Sequence, residues 1–434
     1  MGALLDLFDE NKLAIVIDKL CSQKPLYLKR QFIDKNRVLK YKTQIIDTIH
    51  HSIHIGSYQH QPVKKVEIMD GQKKRIIYKL DFIDRVVAGA IYNIISALID
   101  PYYPETLYSY RRGKSRFQAL KAFTDYIALH KSEVKDVKKM GFYVLRLDIK
   151  KYGESIPVKD KAYIWTFLEG IFGNDKYNLG FDNDDLELLN KFIRPQIIGN
   201  DATSYNEYGI IDGSPISALL LNLYLQEVDE LFSNVKGGFY ARFGDDILFA
   251  HPNYKTLIKS DKEFIAKLGK IGLEFNEKKK QIIYFNGAGK ATDDNITSAE
   301  RIEFLGLDNN FNGLHELTKT KTKSFFKEIS SRIENINYSL MEKDVNEKAS
   351  AICNMANQAL DPRSEFQLKE LSNIAFVNSK KQLMMFDYFI ARKIANILAN
   401  NNSVKSFRNF NYKTMRREWG LKSLAHEFRK NFYE

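Results

Sequence analysis

The sequence predicts an α+β fold, and three observations carry the prediction. Between Gly141 and Leu307, short β-rich runs (Phe142 to Leu147, Phe239 to Phe243, Ile247 to Ala250 and Gln281 to Phe285) alternate with helical patterns. After Thr318 the pattern is almost entirely helical and rich in Lys, with Pro362 as a break. The 434 residues suffice for two or three lobes, yet no internal repeat or long Pro, Gly or Ser linker separates them. Boundaries therefore follow the changes of pattern, giving regions 1–140, 141–310 and 311–434. The first region, to about Tyr103, reads as helices around a basic turn, Asp70-Gly-Gln-Lys-Lys-Arg75.

Composition narrows the partners. The chain is 44% hydrophobic and 28% charged, with a formal charge of +12. Clustered Lys and Arg gain by displacing counterions from phosphates, so nucleic acid leads the acidic partners. Cys21 and Cys353 stand alone, which excludes a disulfide framework or zinc site and fits a reducing cytoplasm. The amphipathic start MGALLDLFDENKL lacks the form of a leader. No apolar run reaches membrane-spanning length, so a cytoplasmic protein with no membrane partner is expected. His50 and His54 fall one helical turn apart, but no carboxylate or Cys completes a ligand set.

The strongest local signal is Tyr240-Ala-Arg-Phe-Gly-Asp-Asp-Ile-Leu-Phe-Ala250, two apolar strands around a tight turn with Asp245 and Asp246 at its tip. Plain hairpins also use Gly-Asp turns. Asp148 adds weight because it closes another β-run, and adjacent strands of one sheet would bring the three carboxylates together. Uncompensated, they would raise one another's pKa, so they call for divalent cations between them. Two Mg²⁺ ions, or Mn²⁺ in their place, would activate a primer 3′-hydroxyl and stabilise a leaving pyrophosphate.

From Lys73 to Leu307 the residues resemble the reverse transcriptases of bacterial type. Arg146-Leu-Asp-Ile-Lys150 is similar to motif A, and Phe243-Gly-Asp-Asp246 stands where Tyr-x-Asp-Asp is usual in motif C. Gly209-Ile-Ile-Asp-Gly-Ser-Pro-Ile-Ser217 resembles motif B. The resemblance implies a right-hand polymerase with fingers, an RRM-like antiparallel palm sheet and a helical thumb. It implies a metal set of Asp148, Ile149, Asp245 and Asp246, with Asp212 and Gly213 beside the nucleotide. Arg75 is the first choice to grip the triphosphate, followed by Lys73 and Lys74. Tyr110-Arg-Arg-Gly-Lys-Ser115 resembles the next fingers motif, which makes Arg111, Arg112 and Lys114 nucleic-acid contacts. Gly272-Leu-Glu-Phe-Asn-Glu-Lys-Lys-Lys280 resembles motif D and places Lys279 as general acid. Phe304-Leu-Gly-Leu307 resembles the primer grip, giving Phe304, Leu305 and Gly306, and the Lys run Thr318 to Lys323 would suit duplex backbone.

The ring that the resemblance implies five residues after Asp148 is Gly153 here, leaving Tyr152 as the sugar gate. Departures from the motifs sort the branch: Asp212 replaces the Gln usual in group II intron and retron enzymes, and Phe243 and Gly244 replace a Tyr and a small residue. The Val-Thr-Gly signature of retron enzymes, an endonuclease motif and a maturase domain are all missing from the sequence. What remains resembles the abortive-infection and unknown-group branch, many of whose members defend cells against phage. This implies an RNA template, often a structured noncoding RNA, dNTP substrates, a DNA product and a homo-oligomer in some members. An RNA-directed RNA polymerase and a catalytically silent RNA-binding scaffold are the alternatives.

Overall fold

The computed structural model describes residues 3–23, 33–70, 73–134, 140–173, 176–198, 203–287, 296–340, 342–402 and 405–427. The side chains of residues 68, 70 and 73–75 also lie outside this description. The chain forms two compact units, one of Met1–Ala119 with Tyr143–Ile282, the other of Leu120–Phe142 with Ile283–Glu434. The expected boundaries near 140 and 310 both fall inside the second of these.

In the first unit, α1 (Glu10–Gln23) and α2 (Lys42–His54) precede two strands, β1 (Val63–Asp70) and β2 (Lys73–Lys79). These pair antiparallel from Lys64↔Lys79 to Asp70↔Lys73. The basic turn read among helices therefore belongs to a hairpin, which the β-branched Val63, Val66, Ile76 and Ile77 favour. Helix α3 (Phe82–Ile99) follows, capped by Asp81, whose carboxylate accepts from the Ile83 N–H at 2.8 Å. Its extension Phe82–Tyr102 is apolar and long enough to cross a membrane, contrary to the sequence expectation. It is instead a core helix: Val86, Val87, Ala88, Ala90, Ile91 and Ile95 are wholly buried. Gly89 meets α1 so closely that a Cβ there would come 2.7 Å from Val16 Cγ1.

Helix α4 (Arg116–Glu133) begins in the first unit and continues into the second, and β3 (Phe142–Leu147) returns the chain to the first. Pro215 opens α5 (Pro215–Leu223), with Ser214 as its cap, and α6 (Gln226–Ser233) follows. Strands β4 (Phe239–Phe243) and β5 (Asp246–His251) form a hairpin, and α7 (Tyr254–Lys270) packs on it. The strands lie in the order β4-β5-β3, all antiparallel, with registers Phe243↔Asp246 and Leu147↔Ile247. Leu248 and Phe249 point to opposite faces and are both fully buried, so the sheet is covered on both sides here.

The second unit is built on a three-stranded sheet, β6 (Arg301–Phe304), β7 (Leu307–Asn310) and β8 (His315–Leu317). Phe123 of α4 packs against Phe142, Phe285 and Phe304 with ring centroids 6.1 to 6.4 Å apart. Helices α8 (Lys319–Ser339), α9 (Val345–Ala359) and α10 (Lys380–Leu398) pack against one another, and α11 (Ser406–Asn409) and α12 (Tyr412–Arg417) lie on α10. The chain is thus a mixed helix and sheet protein.

Candidate active site

The Gly-Asp-Asp turn sits at the end of β4 and β5, where Phe243 and Asp246 pair and leave Gly244 and Asp245 as a two-residue loop. Such a loop favours a positive φ at its first position, and Gly244 supplies it at 68° with no strain. Asp148 directly follows Leu147, the partner of Ile247, so continuing the register sets it opposite Asp246. The sequence brings all three acids to one end of the sheet through strand pairing alone.

Beneath the turn lies a polar brace. Arg242 and Asp229 are both fully buried. Arg242 donates from Nε to Asp229 Oδ1 at 2.7 Å and from Nη2 to Oδ2 at 2.6 Å, a bidentate pair. Its remaining donors reach the carbonyls of Asn222 at 2.9 Å and Gly244 at 3.2 Å. Tyr240 donates to Asp229 Oδ1 at 2.6 Å. Asn222 in turn donates to the Ser109 carbonyl at 2.7 Å and accepts from its hydroxyl at 2.9 Å. Backbone bonds link Arg242 to Thr106 and Tyr108 at 3.0 and 2.9 Å. The guanidinium therefore ties the turn to α5 and α6, and the Arg242 backbone ties it to the segment before α4.

The carboxylates occupy different surroundings. Lys279 Nζ donates to Asp148 Oδ1 at 2.8 Å and Asn276 Nδ2 to Oδ2 at 3.2 Å. The motif D segment is held there by backbone bonds, Asn276 N–H to Asp148 at 2.8 Å and Lys150 N–H to Glu274 at 2.9 Å, and by a bridge between Ile149 and Phe275. Asp245 and Asp246 reach solvent, yet protein packed around them displaces enough water to penalise their charges. Asp246 is pushed up to about 6, first by this desolvation and then by Asp245 and Asp148, with Arg146 opposing. Asp245 is raised too, by desolvation and then by Asp148, while Lys279 opposes. The Asp148 bond raises Lys279 in return. A cleft of about 860 Å³ opens here, lined by Asp148, Asp245, Lys150, Glu274, Asn276 and Lys279.

Among the described residues no three His, Cys, Asp or Glu side chains converge as a ready-made metal site. The donor set nevertheless fits divalent cations: three hard oxygen ligands under mutual repulsion, one already held by a cation, the Lys279 ammonium.

The fingers residues divide. Lys73, Lys74 and Arg75 lie on β2, but their side chains fall outside the described residues. The strand itself is tied to motif B by the Tyr78 N–H, which donates to the Asp212 carbonyl at 3.2 Å, and α3 is tied to it by Arg85 Nη1, which donates to the Gly213 carbonyl at 2.6 Å. Gly213 adopts φ 107°, and a Cβ there would come 3.1 Å from Tyr78 O, so close approach requires glycine. Asp212 is exposed beside it.

Four expectations need correction. Arg111 is a buried clamp: Nε meets Asp100 Oδ1 at 2.8 Å and Nη1 the Pro104 carbonyl at 2.7 Å, leaving little for nucleic acid. Arg112 is exposed, while Lys114 pairs with Glu105 and lies over the Tyr108 ring. Tyr152 is buried and its hydroxyl donates to the Leu221 carbonyl at 2.6 Å, so its ring is turned inward and poorly placed as a gate. Gly153 offers no side chain. Phe304 and Leu305 are buried as well, within the second unit. Of that tetrapeptide's turn only Gly306 remains for a grip, its carbonyl accepting from Lys321 Nζ at 2.9 Å.

The sequence reading missed Asn276, the Arg242 brace and Tyr110. Tyr110 is half exposed, adopts φ 51° and lines a cavity with Asp212 and Gly213. Its phenol is pushed up by desolvation, then by Asp212 and Asp245. A tyrosine preceding two arginines carries no signal of this placement.

Among known proteins, the chain is similar to telomerase from Candida albicans in complex with a TWJ fragment of telomeric RNA, at 14% identity and a TM-score of 0.46. That match covers 85% of this chain and 67% of the other. It is also similar to apo telomerase from Candida tropicalis truncated from its C-terminal domain, at 16% identity and a TM-score of 0.42. There the coverage is 59% of this chain and only 56% of the other. No curated protein matches the sequence. The profile of the reverse transcriptase (RNA-dependent DNA polymerase) family matches residues 63–308, more than half the chain and every motif discussed above, so the protein belongs to the reverse transcriptase family.

Proposed function

We propose that this chain is an RNA-directed DNA polymerase whose nucleotidyl transfer uses two divalent cations at Asp148, Asp245 and Asp246. The observation that carries the reading is that strand pairing sets these acids at one end of adjacent strands, with Asp246 pushed up to about 6 by desolvation and its neighbours. The cations, when bound, supply Lewis-acid activation of the primer hydroxyl and neutralise the phosphate charge. Asp148, whose Oδ1 accepts from Lys279 at 2.8 Å, would be one of the residues holding a cation. Lys279, in the same cleft, would be the proton donor for the leaving pyrophosphate. Asn276 keeps Asp148 oriented, and the Arg242 brace holds the turn in place. Asp212, Gly213 and β2 border the nucleotide.

The experiment is incorporation of labelled nucleotides by the purified protein with Mg²⁺ or Mn²⁺, beside Asp148→Asn. Incorporation by both proteins alike would remove the active centre assigned here. A second reading, RNA-directed RNA polymerase, is favoured by one observation: buried Tyr152 and bare Gly153 leave motif A without an outward ring. Comparing kcat/KM for matched dNTP and NTP decides between them, and equal use of both sugars would favour the second.

Within the family, the departures at Asp212, Phe243 and Gly244 from the motifs usual in retron and group II intron enzymes support the phage-defence branch. That reading includes a structured noncoding RNA template and a cytoplasmic setting. Phage plating on cells expressing the wild type or Asp245→Ala tests it, and equal plating on both would overturn it.

A further inference from the structure

A concentration of charge and rings at the end of the second unit shares no lining residue with the cleft at Asp148. From Lys405 to Glu427 the sequence carries six Lys or Arg against two Glu. Helices α11 and α12 pack on α10 there and enclose a cavity of about 400 Å³ lined by Met384, Tyr388, Phe407, Tyr412 and His426, with Lys380 at its edge. Asp387 fixes one wall. Its Oδ1 accepts from the Leu424 N–H at 2.7 Å, and its Oδ2 from Ser423 Oγ at 2.6 Å and the Ala425 N–H at 3.1 Å. With both oxygens engaged, the carboxylate holds that wall in place.

The rings remain open. Tyr388 is 52% exposed and Met384 54%. Tyr388 and Phe407 lie 5.6 Å apart at 36°, and the Arg416 guanidinium sits 5.8 Å from the Tyr412 ring centroid. Exposed rings gain by covering a flat apolar face, while Lys380, Lys413 and Arg416 gain by meeting anions. A strand of unpaired nucleotides offers both on one molecule. An acidic peptide would satisfy the cations and leave the rings wet. A duplex would hide its base faces.

We propose that this cavity receives one unpaired base of a single-stranded RNA, stacked on Tyr388 and Phe407, with flanking phosphates on Lys380, Lys413 and Arg416. Only the choice of RNA over DNA rests on the polymerase reading. The site would hold a substrate or associated RNA by a segment that is not being copied.

The test uses the full chain and an unstructured oligouridine of about twelve nucleotides carrying one 4-thiouridine. Photocrosslinks should map to peptides bearing Tyr388, Phe407 or Tyr412. Tyr388→Ala should lower their yield about tenfold while Tyr388→Phe retains it. Arg416→Glu should lower it too and flatten its salt dependence. Incorporation on a short primed template and the melting temperature should stay near wild type for Tyr388→Ala. Crosslinks confined to residues 63–308, wild-type yield from Tyr388→Ala, or equal competition by oligoglutamate or an RNA duplex would overturn the proposal. Tighter binding of the matching DNA would overturn the choice of RNA. A wild type that crosslinks as described yet incorporates no nucleotide would sink the polymerase reading and leave this site standing.

Discussion

Two ion pairs flank the same hairpin and differ in almost everything except length. Arg242 and Asp229 meet at 2.6 Å with neither side chain accessible, while Lys279 and Asp148 meet at 2.8 Å with the lysine 62% exposed and the aspartate 16%. The first is saturated by carbonyls, a tyrosine hydroxyl and a bidentate geometry, so nothing can replace either partner. The second has one ammonium, on a largely exposed side chain, on one oxygen. The proposed chemistry would use both kinds: a sealed charge to fix the loop and an open one that can change partner.

The contrast can be broken at its functional end first. Asp245→Ala should reduce nucleotide incorporation to background, a loss on the order of 10³-fold or more, because a bound metal contributes several kcal/mol to the transition state. Its melting temperature should not fall. A purified variant incorporating near the wild-type rate would show that the turn is not catalytic. At the structural end, Arg242→Met leaves Asp229 buried and unpaired, and unfolding by denaturant should show a loss of about 3–5 kcal/mol. Arg242→Met with Asp229→Leu should recover most of it. A single variant as stable as wild type would deny the brace its role.

Lys279→Ala separates the two pairs more finely. Stability should change by no more than about 1 kcal/mol, as for exposed pairs, while kcat falls roughly 10²-fold with nucleotide KM nearly constant. A fall in KM-dependent binding with kcat intact would assign Lys279 to substrate contact instead. The smallest effect concerns Asp246 without divalent cations. Its carboxyl is pushed up to about 6 from 3.8 in the unfolded chain, so the folded state favours the protonated form. The resulting stabilisation is full below about pH 4 and is lost as pH rises through 6. Asp246→Asn should therefore raise the melting temperature at pH 7.5 and have little effect at pH 4, by about 1 kcal/mol at most given the solvent around the group. No pH dependence in that difference would mean the acids do not repel.

The strands and the turn were legible because alternating apolar residues and a Gly-Asp-Asp tip are local signals with few other readings. The β1-β2 hairpin was missed because lysines at its turn outweighed the β-branched residues behind them. Side-chain roles set by distant partners were harder. Arg111 and Arg242 carry the same charge in the sequence, and each is consumed by an aspartate that only folding brings near, Asp100 and Asp229. Tyr152 was read as a gate from its distance to Asp148, but the short helix it begins points the ring toward Leu221. Phe304 and Leu305 look like a surface turn in one dimension, whereas positive φ at Leu305 and Gly306 folds the preceding ring into an aromatic core.

The Arg242 brace also constrains how sequences of this kind can diverge. Arg242 and Asp229 are joined by a bidentate pair, with the Asn222 carbonyl accepting from Arg242 and the Tyr240 hydroxyl donating to Asp229, so losing either Arg242 or Asp229 alone strands a buried charge. Substitution must proceed in steps that remove the acid and the base together, through an intermediate less stable than either end. Related chains should thus keep Asp229 and Arg242 as a pair or replace both with apolar residues, and the mixed combinations should be scarce in an alignment even though neither residue touches nucleotide.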